Sequence, residues 1–246
     1  MTNKDQWKAN KFVFKKGKLI ASRDENQVGI SSRLIADRVA QFYDKNIPKY
    51  AKGHLLDLGC GQVPLYAAYK SHITDHTCVD WENALEENLH IDMFCDLNQP
   101  LPLDDNRYDT ILLSDVLEHI QKPHLLWKEM YRIMNTDGTL LLNVPFFYWL
   151  HADPYDYFRY TKYALQAMAE EVGFEIIRIE PVGGAPEVLT DIVAKLTVTI
   201  PLIGKLSAKT VQYLTSVFTR TKIGARVSER TANRFPLGYA MIAKKR

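Results

Sequence analysis

The chain has 246 residues, 46% hydrophobic and 24% charged, enough to bury a full core in one elaborated α/β domain or in two small domains. Met1 to Lys18 carries six lysines and no apolar stretch of signal-peptide length, which argues against export, and the run Leu196 to Gly204, broken by Pro201, is too short to cross a bilayer. Cys60, Cys78 and Cys95 form no even disulfide framework and lack zinc-ligand spacing, so a reducing cytoplasm and no metal are expected.

In chain order, Ile30, Leu34, Ile35, Val39 and Phe42 follow helical spacing, with Ser31 or Ser32 as a cap and Pro48 at the exit. Residues 1–52 are therefore expected to form an N-terminal segment whose helix covers the sheet. Strands are expected at 54–58, 76–80, 90–95, 108–114, 139–144, 174–180 and 238–243, alternating with helix-period segments as βαβ units do. A short helix is expected near Leu65. Pro123, Leu126, Met130 and Ile133 predict another, ended by Asn135 and Gly138. Thr161 should cap a further helix through Leu165, Met168, Ala169 and Val172, stopped by Gly173. The core is then 53–187 plus 235–246, and 188–234 is a helical insertion before the last strand.

The first strand reads Leu55, Leu56, Asp57, Leu58 and runs into Gly59, Cys60, Gly61. Such glycines permit a sharp turn and let bare backbone approach a ligand, although tight βα turns of this kind are common in themselves. The distinctive feature is a series: Asp57, Asp80, Asp96 and Asp115 each fall at or just past the end of a consecutive expected strand. Open α/β sheets bind ligands outside those ends, and four carboxylates there favour a cationic cofactor rich in hydroxyl and amino donors. NAD is disfavoured, because its pyrophosphate would meet Asp57 and Pro64 stands at the third glycine of the dinucleotide pattern. S-adenosylmethionine suits the series better.

With Ser114, Asp115, Val116, Leu117, Glu118, His119 and Ile120 after the fourth strand, residues 50–180 resemble the class I S-adenosylmethionine-dependent methyltransferases, in their type 11-like glycan and small-molecule branch. The resemblance implies a seven-stranded, mostly parallel Rossmann-like sheet flanked by helices, its last strand antiparallel. It also implies that Asp57, Gly59, Cys60 and Gly61 form the turn holding the methionyl part and that Asp80 takes the ribose hydroxyls. Trp81 and the pair Asp96 and Leu97 would face the adenine, and Ser114 and Asp115 would border the methyl-transfer cavity. Val63 departs from the pattern where many members have a third glycine.

The acceptor is expected at the block from Pro145 to Thr161, which is both aromatic and polar and would be costly to bury as a plain core loop. Its Tyr148, His151, Asp153, Tyr155, Asp156, Tyr157, Arg159 and Tyr160 suit a polyol such as a saccharide, and the block resembles one found in methyltransferases of bacterial surface-polysaccharide synthesis. A sugar hydroxyl needs a base, for which His151, His119, Asp153 and Asp156 are the choices. His119 can instead pack within the protein, and Asp156 with Arg159 can be a structural pair. Methylation of a hydroxyl on a saccharide or glycan precursor is therefore expected. Methylation of a quinone or another natural product, and a noncatalytic cofactor-binding or partner-binding module, are the alternatives.

From 188 onward there are 11 Lys and Arg against 2 Asp and Glu, whereas the preceding residues carry 20 against 27. Leu189, Ile192, Val193 and Leu196 share one helical face; Leu206, Tyr213, Leu214, Val217 and Phe218 share another. These faces pack on the body or on a second copy, or they meet an anionic membrane from its inner side. No nucleic-acid partner is expected, since no RNA-binding motif accompanies the charge.

Overall fold

A computed structural model describes residues 1–82 and 89–246. The chain opens with a hairpin, β1 (Phe12–Lys15) and β2 (Lys18–Ala21), turned by Lys16 and Gly17 at φ of 52° and 73°, the left-handed pair that tight hairpins require. It buries Phe12, Leu19 and Ala21 against α1 (Arg33–Tyr50). No strand is expected here from sequence, because four-residue strands among lysines carry too short an alternation. In α1 the expected apolar positions Leu34, Val39 and Phe42 are buried, but Pro48 lies inside the last turn instead of marking the exit. The helix continues to Tyr50, and Ala51 N–H closes it on the Ile47 carbonyl at 2.9 Å.

All seven expected strands are present: β3 (His54–Leu58), β4 (Asp75–Asp80), β5 (Met93–Phe94), β6 (Tyr108–Ser114), β7 (Met134–Pro145), β8 (Phe174–Val182) and β9 (Gly238–Lys245). They lie in the order β5-β4-β3-β6-β7-β9-β8, parallel except for β9, which runs antiparallel to both β7 and β8. Successive side chains serve opposite faces of the sheet. Leu56, Leu58, Ile111, Leu113 and Leu142 join one core with α3 (Pro123–Ile133) and α4 (Lys162–Val172), while Leu55, Leu112, Leu141 and Ile242 join the other with α1 and the hairpin. The Thr161 hydroxyl caps α4 by accepting from Ala164 N–H at 3.2 Å, and Gly173 ends it at φ 101°. Asn135 and Gly138 lie in β7, because the chain passes directly from α3 into the strand. The order reverses between β3 and β6, the switch point that opens a crevice at the strand ends.

The insertion holds three helices instead of two: α5 (Ala185–Val198), α6 (Gly204–Phe218) and α7 (Lys222–Ala232). Between β3 and β4, α2 (Tyr66–Tyr69) is a single turn. Polar pins hold the insertion to the body: Gln212 accepts from Leu34 N–H at 2.8 Å and donates to the Ile30 carbonyl at 2.6 Å, and Arg38 donates to buried Glu187 at 2.9 Å. Small residues, Ala194, Gly204 and Ala208, allow this close approach. Its large apolar side chains consequently turn outward, among them Leu189 at 64% and Leu196 at 70% exposure.

Candidate active site

The turn after β3 is built by backbone. Gly59 (φ 73°) and Cys60 donate to the Val79 carbonyl at 2.8 and 3.0 Å, which stitches the turn to the end of β4. A Cβ on Gly59 would lie 2.6 Å from Val116 Cγ2, so only glycine fits. Gly61, at φ 48°, faces open space: a Cβ there would meet nothing within 4 Å. Val63 stands at φ 53° where a glycine would be unstrained, held by full burial and by its N–H on the Cys60 carbonyl at 2.8 Å.

Gly59, Gly61, Asp80, Trp81, Asp96 and Leu97 line a cleft of about 410 Å³ that continues past Asp115, His119, Tyr155 and Tyr157. The Asp80 carboxylate accepts from Gly61 N–H at 2.6 Å and Trp81 N–H at 2.7 Å, while burial raises its pKa against those two bonds. Trp81 meets the edge of Tyr155, ring centres 5.2 Å apart, which forms an aromatic wall over the cleft. Asp96 accepts from the Asn98 backbone at 2.9 Å and so shapes the loop beneath it. An adjoining space of about 260 Å³ lies among Gly59, Cys60, Gly61, Ser114, Asp115, Lys11 and Gln27. An open glycine cradle beside a diol-accepting carboxylate and an aromatic wall is a fitting receptacle for S-adenosylmethionine.

Asp57 departs from the expectation of four ligand-facing acids. It is 4% exposed, lies behind the turn and does not line the cleft; the Tyr69 hydroxyl donates to it at 3.4 Å. Burial, reinforced by Asp80, raises its pKa to about 8, so near neutrality it is largely an uncharged acid that supports the strand end. The charge facing a ligand comes from the later strand ends, and one of those is partly neutralised. Asp115, at φ 54°, accepts from Lys11 at 2.8 Å and from Asn143 Nδ2 at 2.5 Å. Asn143 in turn accepts from Ser114 at 2.9 Å and Tyr43 at 2.8 Å.

Lys11 was invisible to sequence reasoning: it is one of six lysines in a polar segment, and only the docking of the hairpin on the sheet brings it here. Burial opposes its charge, but Asp115, Tyr148 and Glu118 more than offset this and raise its pKa. The same docking completes a second cavity of about 390 Å³, walled by Lys11, Gln27, Ser32, Asp115, Glu118, His119, Tyr148 and His151. It adjoins the first cleft through Asp115 and His119.

At that junction the His119 and His151 rings meet edge to face, centres 4.8 Å apart. Asp156 Oδ2 accepts from His151 N–H at 2.9 Å and lies 3.1 Å from His151 Nδ1, close but outside hydrogen-bond alignment. Arg159 clamps both oxygens of Asp156 at 2.5 and 2.7 Å. Burial opposes ionisation of Asp156, yet Arg159 and the His151 backbone hold its pKa down at about 2. Burial and neighbouring His119 lower the pKa of His151, leaving it neutral near pH 7.

The aromatic block is therefore divided. Tyr148 and His151 reach the second cavity, whereas Tyr155 and Tyr157, expected beside them, line the first cleft. Asp156 and Arg159 stand behind His151 as positioning residues. Tyr160 belongs to the core, 3% exposed with its hydroxyl on the Leu117 carbonyl at 3.2 Å, because it precedes the cap of α4. Asp153 is exposed and lines neither cavity, so it is not placed as a base.

Residues 56–142 match the family model of a methyltransferase domain. Similar solved structures include an S-adenosylmethionine-dependent methyltransferase from Archaeoglobus fulgidus, 20% identical over 90% of this chain and 97% of that one, at a TM-score of 0.56. The [4+2]-cyclase SpnF is 18% identical over 96% and 87%, also at 0.56. A Haloferax volcanii putative methyltransferase, in complex with the Trm112 methyltransferase activator, is 16% identical over 90% and 94% at 0.54. No curated protein matches the chain by sequence. The presence of a cyclase in this company shows that the fold alone does not set the reaction. Residues 56–142 thus carry a methyltransferase domain, and the strand order with its reversed last strand and the glycine cradle give the chain the fold of the class I S-adenosylmethionine-dependent methyltransferases, with S-adenosylmethionine as the cofactor.

Proposed function

We propose that the enzyme methylates a hydroxyl group of a saccharide or glycan precursor, and that His151 handles the proton of that hydroxyl. The observation that carries this is the junction of the two cavities, where a neutral histidine, backed by the Asp156–Arg159 pair, faces the space next to the cofactor cleft. Bound S-adenosylmethionine supplies an electrophilic methyl group, and the protein's task is to align an oxygen with it and exclude water. Tyr148 and Ser32 share a 2.9 Å hydrogen bond on the far wall, and Gln27 adds an amide, so polar groups suited to a polyol surround the oxygen. A hydroxyl is a poor nucleophile while protonated, and a neutral imidazole with an ionised carboxylate behind it suits removal of that proton. The test is release of S-adenosylhomocysteine over panels of sugar nucleotides, lipid-linked sugars, quinones and phenols. Turnover confined to quinones or phenols would overturn the saccharide assignment, and cofactor binding without turnover on any panel would favour a noncatalytic module.

We further propose that 188–234 seats the enzyme on an anionic membrane, whose lipid-linked sugars would then be within reach. No helix among the described residues is long and apolar enough to cross a membrane. The outward faces of α5 and α6 nevertheless expose Leu189, Leu196, Leu206 and Leu214, and the same insertion exposes Arg220, Lys222 and Arg226, a combination suited to lying in a charged interface. A largely apolar groove of about 520 Å³ between α5 and Phe146–Trp149 is lined by Tyr148, which also walls the second cavity. Flotation with phosphatidylglycerol vesicles should be strong at low salt and weak at high salt, and Leu189→Ser/Leu196→Ser should abolish it. Absence of flotation, with a stable dimer in sedimentation that the same substitutions dissociate, would assign the face to a second copy.

A further inference from the structure

The Glu118 side chain is fully buried, yet neither carboxylate oxygen has a hydrogen-bond partner. Buried polar atoms are nearly always satisfied, and a carboxylate with both oxygens bare calls for an explanation. Its position supplies one. Glu118 Oε1 lies 3.7 Å from His119 Nε2 and 3.9 Å from His151 Nε2, and one ligand atom from each of the three residues falls within 4.8 Å of the others. His119 Nδ1 is 2.8 Å from the Tyr155 carbonyl, which can only accept, so that nitrogen carries the proton and Nε2 keeps its lone pair. His151 has its Nδ1 on the Asp156 side and its Nε2 toward Glu118. Histidines that ligate metals are held in this way, with the far nitrogen set against a carbonyl or carboxylate.

We propose that Glu118, His119 and His151 form a binding site for a divalent metal ion of the first transition row. Two imidazoles and one carboxylate, with open coordination positions, suit such ions. Around a metal with bonds of roughly 2.0–2.1 Å, ligand atoms stand roughly 3–3.4 Å apart, so the observed 3.7 and 3.9 Å, with a third spacing of up to 4.8 Å, close on an ion by small rotations of the side chains. All three residues wall the second cavity, and the free positions of the ion would open into it.

This deepens the proposed hydroxyl methylation and rests on it for its chemical purpose. An acceptor oxygen bound to the cation would lose its proton to water more readily. The oxygen–methyl bond would then form as the sulfur–methyl bond breaks, leaving a neutral thioether and one released proton. With the ion in place, His151 acts on the hydroxyl proton through the metal that it holds, and in either case its removal costs turnover. The expectation of no metal rested on cysteine spacing, whereas these ligands come from two segments some 32 residues apart that the fold brings together.

The test is titration of the chelator-treated full chain with Mn2+ alone, followed by electron paramagnetic resonance, and with Zn2+ by calorimetry. One equivalent should bind with a micromolar dissociation constant. Glu118→Gln, which keeps the shape of the side chain, and His151→Ala should each weaken binding at least tenfold while S-adenosylmethionine affinity, the control for folding, is retained. Failure of the wild-type chain to bind either ion saturably, or undiminished binding by both variants, would overturn the site. Because no acceptor is present, a stoichiometric ion would stand even if the hydroxyl assignment failed.

Discussion

The glycine-lined cleft fitted to the cofactor and the second cavity, proposed here for the acceptor, share Asp115 and His119 but are made differently. The cofactor side is local: each group lies within a few residues of a strand end, and much of the contact is made by backbone, as at Gly59 and Gly61. The second cavity is composite. Its walls come from the hairpin, the start of α1, the turn after β6 and the loop after β7, which meet only when the chain is folded. Cofactor binding should therefore respond to changes near a strand end, and turnover to changes far apart in sequence.

The sharpest way to break this contrast is to remove one group from each side. His151→Ala should lower kcat by about 10²–10⁴-fold, the range for loss of a group that handles the transferred proton, with cofactor affinity nearly intact by calorimetry. Asp80→Ala should weaken cofactor binding by about 10–100-fold, as expected when a charged acceptor of about 1.5–3 kcal/mol is lost, and should spare kcat at saturating cofactor. Equal losses of cofactor affinity in the two variants would end the division of roles.

A smaller effect sharpens the cofactor side alone. The folded pKa of Asp57, about 8, lies above the roughly 3.9 of an unfolded chain. Its protonated form thus favours the folded state below the unfolded value, and this contribution is lost as the pH rises through about 8. Thermal unfolding from pH 5 to 8.5 should show a decline in melting temperature that Asp57→Asn flattens. An unchanged slope would mean that Asp57 is ionised and faces the ligand after all.

Legibility in the sequence followed the range of the interactions. The seven strands could be read because apolar runs such as Leu55–Leu58 and Ile111–Leu113 lie between turn signals, and Thr161 and Gly173 mark their helix ends by local chemistry. The hairpin at Phe12–Ala21 could not, being two strands of four residues. Asp57 misled because proximity to a strand end does not say which way a side chain is buried. Tyr160 misled because an aromatic ring in a polar loop reads alike whether it faces a substrate or the core.

By itself the sequence determined the α/β alternation, the glycine turn and the carboxylates at the ends of β4, β5 and β6, and from these the cofactor class, since all are set within a few residues by periodicity, backbone freedom and charge. Only the tertiary structure decided that Asp57 withdraws from the cleft, that Lys11 meets Asp115, that Asp156 and Arg159 stand behind His151, and that the Glu118 carboxylate faces two histidines with neither oxygen hydrogen-bonded. The reason is physical: burial and the pairing of charges depend on which distant segments pack together, and residue spacing along the chain does not record that.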